Sequence, residues 1–101
     1  MRLTAQETTA IHDAVNRHFG ESAEVWLFGS RVDDSRKGGD IDLYVETDLT
    51  DGDTIFRKRI KLLAELSRPL AERKVDLVVK SRGSQQNLPI YQVARESGVR
   101  L

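Results

Sequence analysis

Four consecutive apolar residues, Val25-Trp26-Leu27-Phe28, run straight into Gly29-Ser30, and nine residues later Asp40-Ile41-Asp42-Leu43 opens a second apolar run. A short apolar run without alternation reads as a strand covered on both faces, since a strand with one wet face would alternate. Residues 24–28 are therefore predicted as a first strand and 40–46 as a second. The second begins with two carboxylates. A third run, Val75-Asp76-Leu77-Val78-Val79, carries one aspartate inside an otherwise apolar stretch. Burying a lone carboxylate is costly, so Asp76 should sit near a strand end with a partner, Lys74 or Arg73, or a metal ion.

The segments between these runs read as helices and polar loops. Thr4 and Glu7 form a capping signature that opens a helix over 4–18, with Gly20 as its stop. Its apolar positions, Ile11 and Val15 among them, recur at helical spacing. A second helix is expected over 53–66, with Phe56, Ile60 and Leu63 on one stripe and Ile55, Leu62 and Leu66 beside it. Ser67-Arg68-Pro69 marks its break. Pro89 suits the first turn of a last helix, 89–97, with Gly98 as its stop and Val99–Leu101 as a small edge strand. Residues 29–39, 47–52 and 81–87 read as loops. No internal repeat is present.

A chain of 101 residues suits a single domain, 1–101. Sixteen basic and sixteen acidic side chains cancel, which argues against a general nucleic-acid coat or a membrane-surface binder. Zero net charge also leaves little repulsion between molecules, which suits a surface meant for a partner and is compatible with an oligomer. With no cysteine there are no disulfides, zinc ribbons or thiol nucleophiles. No signal-peptide pattern opens the chain and no apolar run approaches a membrane span of about 20 residues. A cytoplasmic location away from membranes is expected.

Residues two apart in a strand point the same way, so Asp40 and Asp42 should present their carboxylates together. Neighbouring carboxylates repel unless a cation neutralises them, and hard divalent ions such as Mg²⁺ are the usual solution. Glycine at the end of the first strand lets a ligand approach the backbone, and exposed amides there favour an anion. Each feature is weak alone. Topology joins them: Gly29-Ser30 ends one strand and Asp40 starts the next, so nearness requires an antiparallel pair. Asp76 starts the third strand, which must then run parallel to the second, with the helix from Asp53 as crossover. All three aspartates and the Gly-Ser turn would meet at one rim.

Together these residues resemble the nucleotidyltransferase superfamily typified by DNA polymerase beta. The size is similar to that of the minimal nucleotidyltransferases, the antitoxin halves of HEPN–MNT toxin–antitoxin pairs. The resemblance implies an α/β (α+β) fold: a small mixed β-sheet of three to four strands flanked by helices. It implies that Asp40 and Asp42 hold two Mg²⁺ ions and that Asp76 completes the metal shell and helps activate the attacking hydroxyl. Gly29, Ser30 and Arg31 would bind the nucleotide. In such two-metal chemistry one ion activates the nucleophile and the other steadies pyrophosphate. After Ser30 the sequence Arg31-Val32-Asp33-Asp34 departs from the small-residue, arginine and glycine pattern common in relatives; Arg31, Arg36 and Lys37 are either candidates to neutralise phosphate or part of a solvated loop.

The function so implied is transfer of a nucleoside monophosphate, AMP from ATP, to a tyrosine of a helical HEPN-type toxin, which is thereby neutralised. Two alternatives stand beside it: a non-catalytic antitoxin that neutralises by docking, and an RNA 3′-end nucleotidyltransferase. Nucleic acid is the less favoured partner. Arg57, Lys58, Arg59 and Lys61 form a basic cluster that suits either a solvated helix face or docking to an acidic partner or RNA. His12 and His18 have no ligand partner at metal spacing. Trp26 and Phe28 are expected in the core, and Tyr44 shares the parity of Asp40 and Asp42, which makes it a candidate for the cleft floor.

Overall fold

The structure, a computed structural model, describes residues 3–29, 41–84 and 88–101. Ser30, Arg31, Arg36, Lys37 and Asp40 therefore lie outside the described residues.

Thr4 caps helix α1 (Ala5–Phe19), taking the Glu7 amide on its hydroxyl while the Glu7 carboxylate accepts from the Thr4 amide. This is the expected capping box, and it satisfies two amides that the first turn would otherwise leave bare. The helix buries Ile11, Ala14, Val15 and Phe19 and stops at Gly20, whose φ of 104° suits glycine. Strand β1 (Glu24–Phe28) follows, then β2 (Ile41–Thr47), helix α2 (Gly52–Ser67), β3 (Val75–Ser81), helix α3 (Pro89–Ser97) and the two-residue β4 (Val99–Arg100).

The sheet order is β3-β2-β1-β4. β1 runs antiparallel to β2 and to β4, and β2 runs parallel to β3. Both orientations required by the sequence argument are present, and α2 is the crossover between the parallel pair. Alternation along the strands creates two faces, each buried against helix. Val25, Leu27, Ile41, Leu43, Val45 and Leu77 pack in one cluster with α1 and α2 residues such as Val15, Leu62 and Leu66. Trp26, Phe28 and Tyr44 pack on the other face beneath Tyr91 and Ala94 of α3. Two-sided cover explains why β1 shows no polar alternation, and it confirms Trp26 and Phe28 as core.

One expectation fails in α2. Phe56 and Ile60, read as the centre of the buried stripe, are 58% and 50% exposed. Leu62 and Leu66 are the buried residues, with Ile55 and Leu63 packed against the core. The helix is turned by contacts at long range. Glu65 accepts from both Arg17 and His18 of α1, and Arg59 Nε donates to the Leu77 carbonyl of β3 at 3.3 Å. These fix which flank faces α1 and which overhangs β3. Hydrophobic periodicity alone cannot choose between two adjacent apolar stripes. The helix ends at Ser67, after which Leu70 tucks fully into the core and Ala71 and Glu72 adopt φ of 57° and 58°.

Candidate active site

The strand register sets Phe28, Asp42 and Asp76 side by side across β1, β2 and β3. Residues paired in register point to the same face, and neighbouring strands lie about 4.8 Å apart. Asp42 and Asp76 are thus adjacent on the α3 face, at the end of the sheet where β2 and β3 begin. Both are partly exposed. Lys74 Nζ lies 3.8 Å from the Asp76 carboxylate, whose side chain is 48% exposed, so the ion pair expected as an alternative role for Asp76 is also present. At that exposure it contributes little to stability.

Gly29 closes the rim. It follows Phe28, the register partner of Asp42, and its φ is 74°. A Cβ there would strike the Asp42 carboxylate. Glycine is therefore needed twice over, for the left-handed backbone and for the space that Asp42 occupies. Gly29, Asp42 and Asp76 are brought together at one end of the sheet. Asp40, Ser30 and Arg31 lie outside the described residues. Among the described residues no three His, Cys, Asp or Glu side chains converge as a metal cluster.

The next row of the same face is aromatic. Trp26, Tyr44 and Val78 stand in register, with the Trp26 and Tyr44 ring centroids 5.4 Å apart and Tyr91 stacked on Tyr44 at 5.7 Å. Tyr44 is fully buried, so its shared parity with Asp42 makes it a packing residue beneath α3. Its hydroxyl donates to Glu46 Oε2 at 2.6 Å. Burial, and then the hydrogen bond to that carboxylate, push the phenol well above its ordinary range.

The third row was not singled out by sequence. Glu46 is only 6% exposed and faces Arg82 Nε at 3.7 Å and Arg95 Nε at 3.5 Å. Arg82 also binds Glu24 at 2.7 Å and Asp48 at 3.2 Å. Although its partial burial works the other way, the Asp48 and Glu24 carboxylates hold the Arg82 guanidinium above its usual value. Glu46, Arg82 and Arg95, with Lys80, Tyr91 and Gln92, line a groove of about 680 Å³. It lies roughly 13 Å along β2 from Asp42, with Tyr44 between them. The one signal in the sequence was the parity that Glu46 shares with Tyr44. Its arginine partners come from far along the chain.

A protein family described as "Polymerase beta, Nucleotidyltransferase" matches residues 10–99, nearly the whole chain. The chain belongs to the polymerase beta nucleotidyltransferase family. Nucleotidyl transfer is the general chemistry that membership brings, and among the described residues three helices on a mixed four-stranded sheet are consistent with the family fold. The curated proteins give no match. Among the described residues no helix is long and apolar enough to cross a membrane.

Proposed function

We propose that this chain is a Mg²⁺-dependent nucleotidyltransferase that moves AMP from ATP to a hydroxyl of a partner protein, and that the partner is a helical HEPN-type toxin silenced by the modification. The observation that carries the reading is the in-register pair Asp42 and Asp76 on one face beside Gly29. Carboxylate oxygens are the donors Mg²⁺ prefers, and that ion takes one or two carboxylates and completes its shell with water and phosphate. Asp42 and Asp76 would hold it, with Asp40 as the third ligand. Once bound, Mg²⁺ supplies charge neutralisation at the phosphates and lowers the pKa of an attacking hydroxyl.

The chain's own residues position and shuttle. Asp76, half exposed at the rim, takes the proton of the acceptor hydroxyl. The acceptor oxygen bonds to the α-phosphorus, the bond from that phosphorus to the bridging oxygen breaks, and pyrophosphate leaves with the electron pair. Gly29 lets phosphate approach the backbone, and Ser30 and Arg31 offer a hydroxyl and a guanidinium to it. Holding the reactants in line accounts for most of the rate, because little covalent work is left to the protein.

The experiment incubates the chain with α-labelled ATP, Mg²⁺ and the candidate toxin or RNA. Label should pass to the protein, and Asp42→Asn and Asp76→Asn should each reduce transfer at least about 100-fold. Full neutralisation of the toxin by Asp42→Asn would overturn the catalytic reading in favour of docking. Label in RNA alone would overturn the protein acceptor.

A further inference from the structure

Strand β3 bounds one side of the sheet. The Ile41 amide donates to the Lys74 carbonyl, and the Arg82 amide donates to the Thr47 carbonyl. Even-numbered residues of this stretch therefore bond to β2. Val75, Leu77, Val79 and Ser81 turn their backbone groups outward. Among the described residues no strand pairs with that edge, and of its carbonyls Leu77 receives Arg59 and Ser81 receives the Ser84 amide. A seven-residue edge is a template for another strand. Phe56 and Ile60 are exposed on α2, on the helix flank that carries Arg59, whose Nε reaches the Leu77 carbonyl, and away from Glu65, which meets α1.

We infer that this edge is a two-fold interface with a second copy of the same chain, in which β3 pairs antiparallel with β3 about Val78 and the two α2 helices meet through Phe56 and Ile60. The register follows from the strand itself. Pairing Leu77 with Val79 and Val75 with Ser81 engages every outward residue of β3, with the Leu77 and Ser81 carbonyls taking a second bond beside those from Arg59 and Ser84, and it sets Asp76 opposite Lys80 of the second copy, twice. Opposite charges directly across a strand pair are favourable, and like charges are not. Sliding by one step about Leu77 would lose both of these pairs, setting Asp76 against Val78 and Lys74 against Lys80; about Val78 the flanking Lys74 falls opposite Arg82, whose guanidinium is already held by Glu24 and Asp48. Sliding the other way would set Val75 against the Gly83 turn. The two-fold keeps faces together, so both α2 helices lie on one side and the four exposed apolar side chains cover one another. A C2 contact needs such self-complementarity. Zero net charge puts no long-range repulsion in its way. One consequence reaches the candidate site: the second copy's Lys80 would stand beside Asp76. The interface does not depend on the catalytic reading.

Sedimentation velocity with light scattering tests the proposal on the full chain. At about 100 μM the wild type should have twice the monomer mass of 11.4 kDa. F56E/I60E alters only exposed positions and should give a monomer with unchanged far-ultraviolet circular dichroism. Lys80→Asp should weaken the dimer at least about tenfold, and D76K/K80D should restore it to within about threefold. A monomeric wild type at that concentration would overturn the proposal and leave the edge to a different polypeptide. So would a dimer indifferent to F56E/I60E, and a charge swap that fails to restore association would overturn the register.

Discussion

Replacing Gly29 by alanine probes the rim without removing any acidic group. Two costs should follow. The first is conformational: at φ of 74° an alanine Cβ crowds its own backbone, which costs about 1–2 kcal/mol. The second is contact: the new Cβ meets the Asp42 carboxylate and forces it off its position. An off-rotamer displacement of that kind adds roughly 0.5–1.5 kcal/mol. The sum is about 1.5–3.5 kcal/mol, and only the second part depends on Asp42. The assay is a double-mutant cycle by urea unfolding, with wild type, Gly29→Ala, Asp42→Ala and the pair. With the carboxylate gone, Gly29→Ala should cost only its conformational part, so the coupling should be about 1 kcal/mol. Equal costs in both backgrounds would refute the claim that Gly29 makes room for Asp42.

Other perturbations read the rest of the domain. Tyr44→Phe removes a hydrogen bond to the buried Glu46 carboxylate and should cost about 1.5–3 kcal/mol by denaturant unfolding. The same variant should make the alkaline loss of stability shallower. The folded phenol keeps a proton that the unfolded one releases near pH 10, so its contribution is full below that pH and is lost as pH rises. Glu65 has the opposite sign. Its partial burial raises the carboxyl, but bonds from His18 and Arg17 outweigh that and hold it below the usual range. Its stabilisation is therefore present above the ordinary carboxylate pKa and lost in acid, and Glu65→Gln should flatten the acid limb of a melting-temperature profile.

Much of this architecture was legible in the sequence because local chemistry and global fold agree. The Thr4–Glu7 box, the Gly20 stop and Pro89 mark helix ends by satisfying or removing particular amides. Unbroken apolar runs marked strands with two covered faces. The convergence of Gly29, Asp42 and Asp76 followed from connectivity, since a short antiparallel link and a helical crossover leave few arrangements. Features set by distant partners were not legible. The facing of α2 depends on Glu65 meeting α1 and on Arg59 meeting β3, so Phe56 and Ile60 looked like core. Glu46 is buried because Arg82 and Arg95 arrive from other elements, and no spacing near residue 46 announces them. The expected roles of Ser30, Arg31 and Asp40 fall outside the described residues.

The central claim is that a divalent ion and a nucleotide are held at the start of β2 and β3. Paramagnetic broadening tests it without knowledge of the acceptor. Mn²⁺ in place of Mg²⁺, with a non-hydrolysable ATP analogue, broadens amide signals according to their distance from the ion. With Mn²⁺ added well below one equivalent, signals of Gly29, Asp42, Leu43, Asp76 and Leu77 should vanish first, those of Glu46 and Lys80, roughly 13 Å further along the strands, should fade later, and Asp42→Asn/Asp76→Asn should abolish the effect. Broadening centred on Glu46 and Arg82, or spread evenly over the surface, would contradict the account.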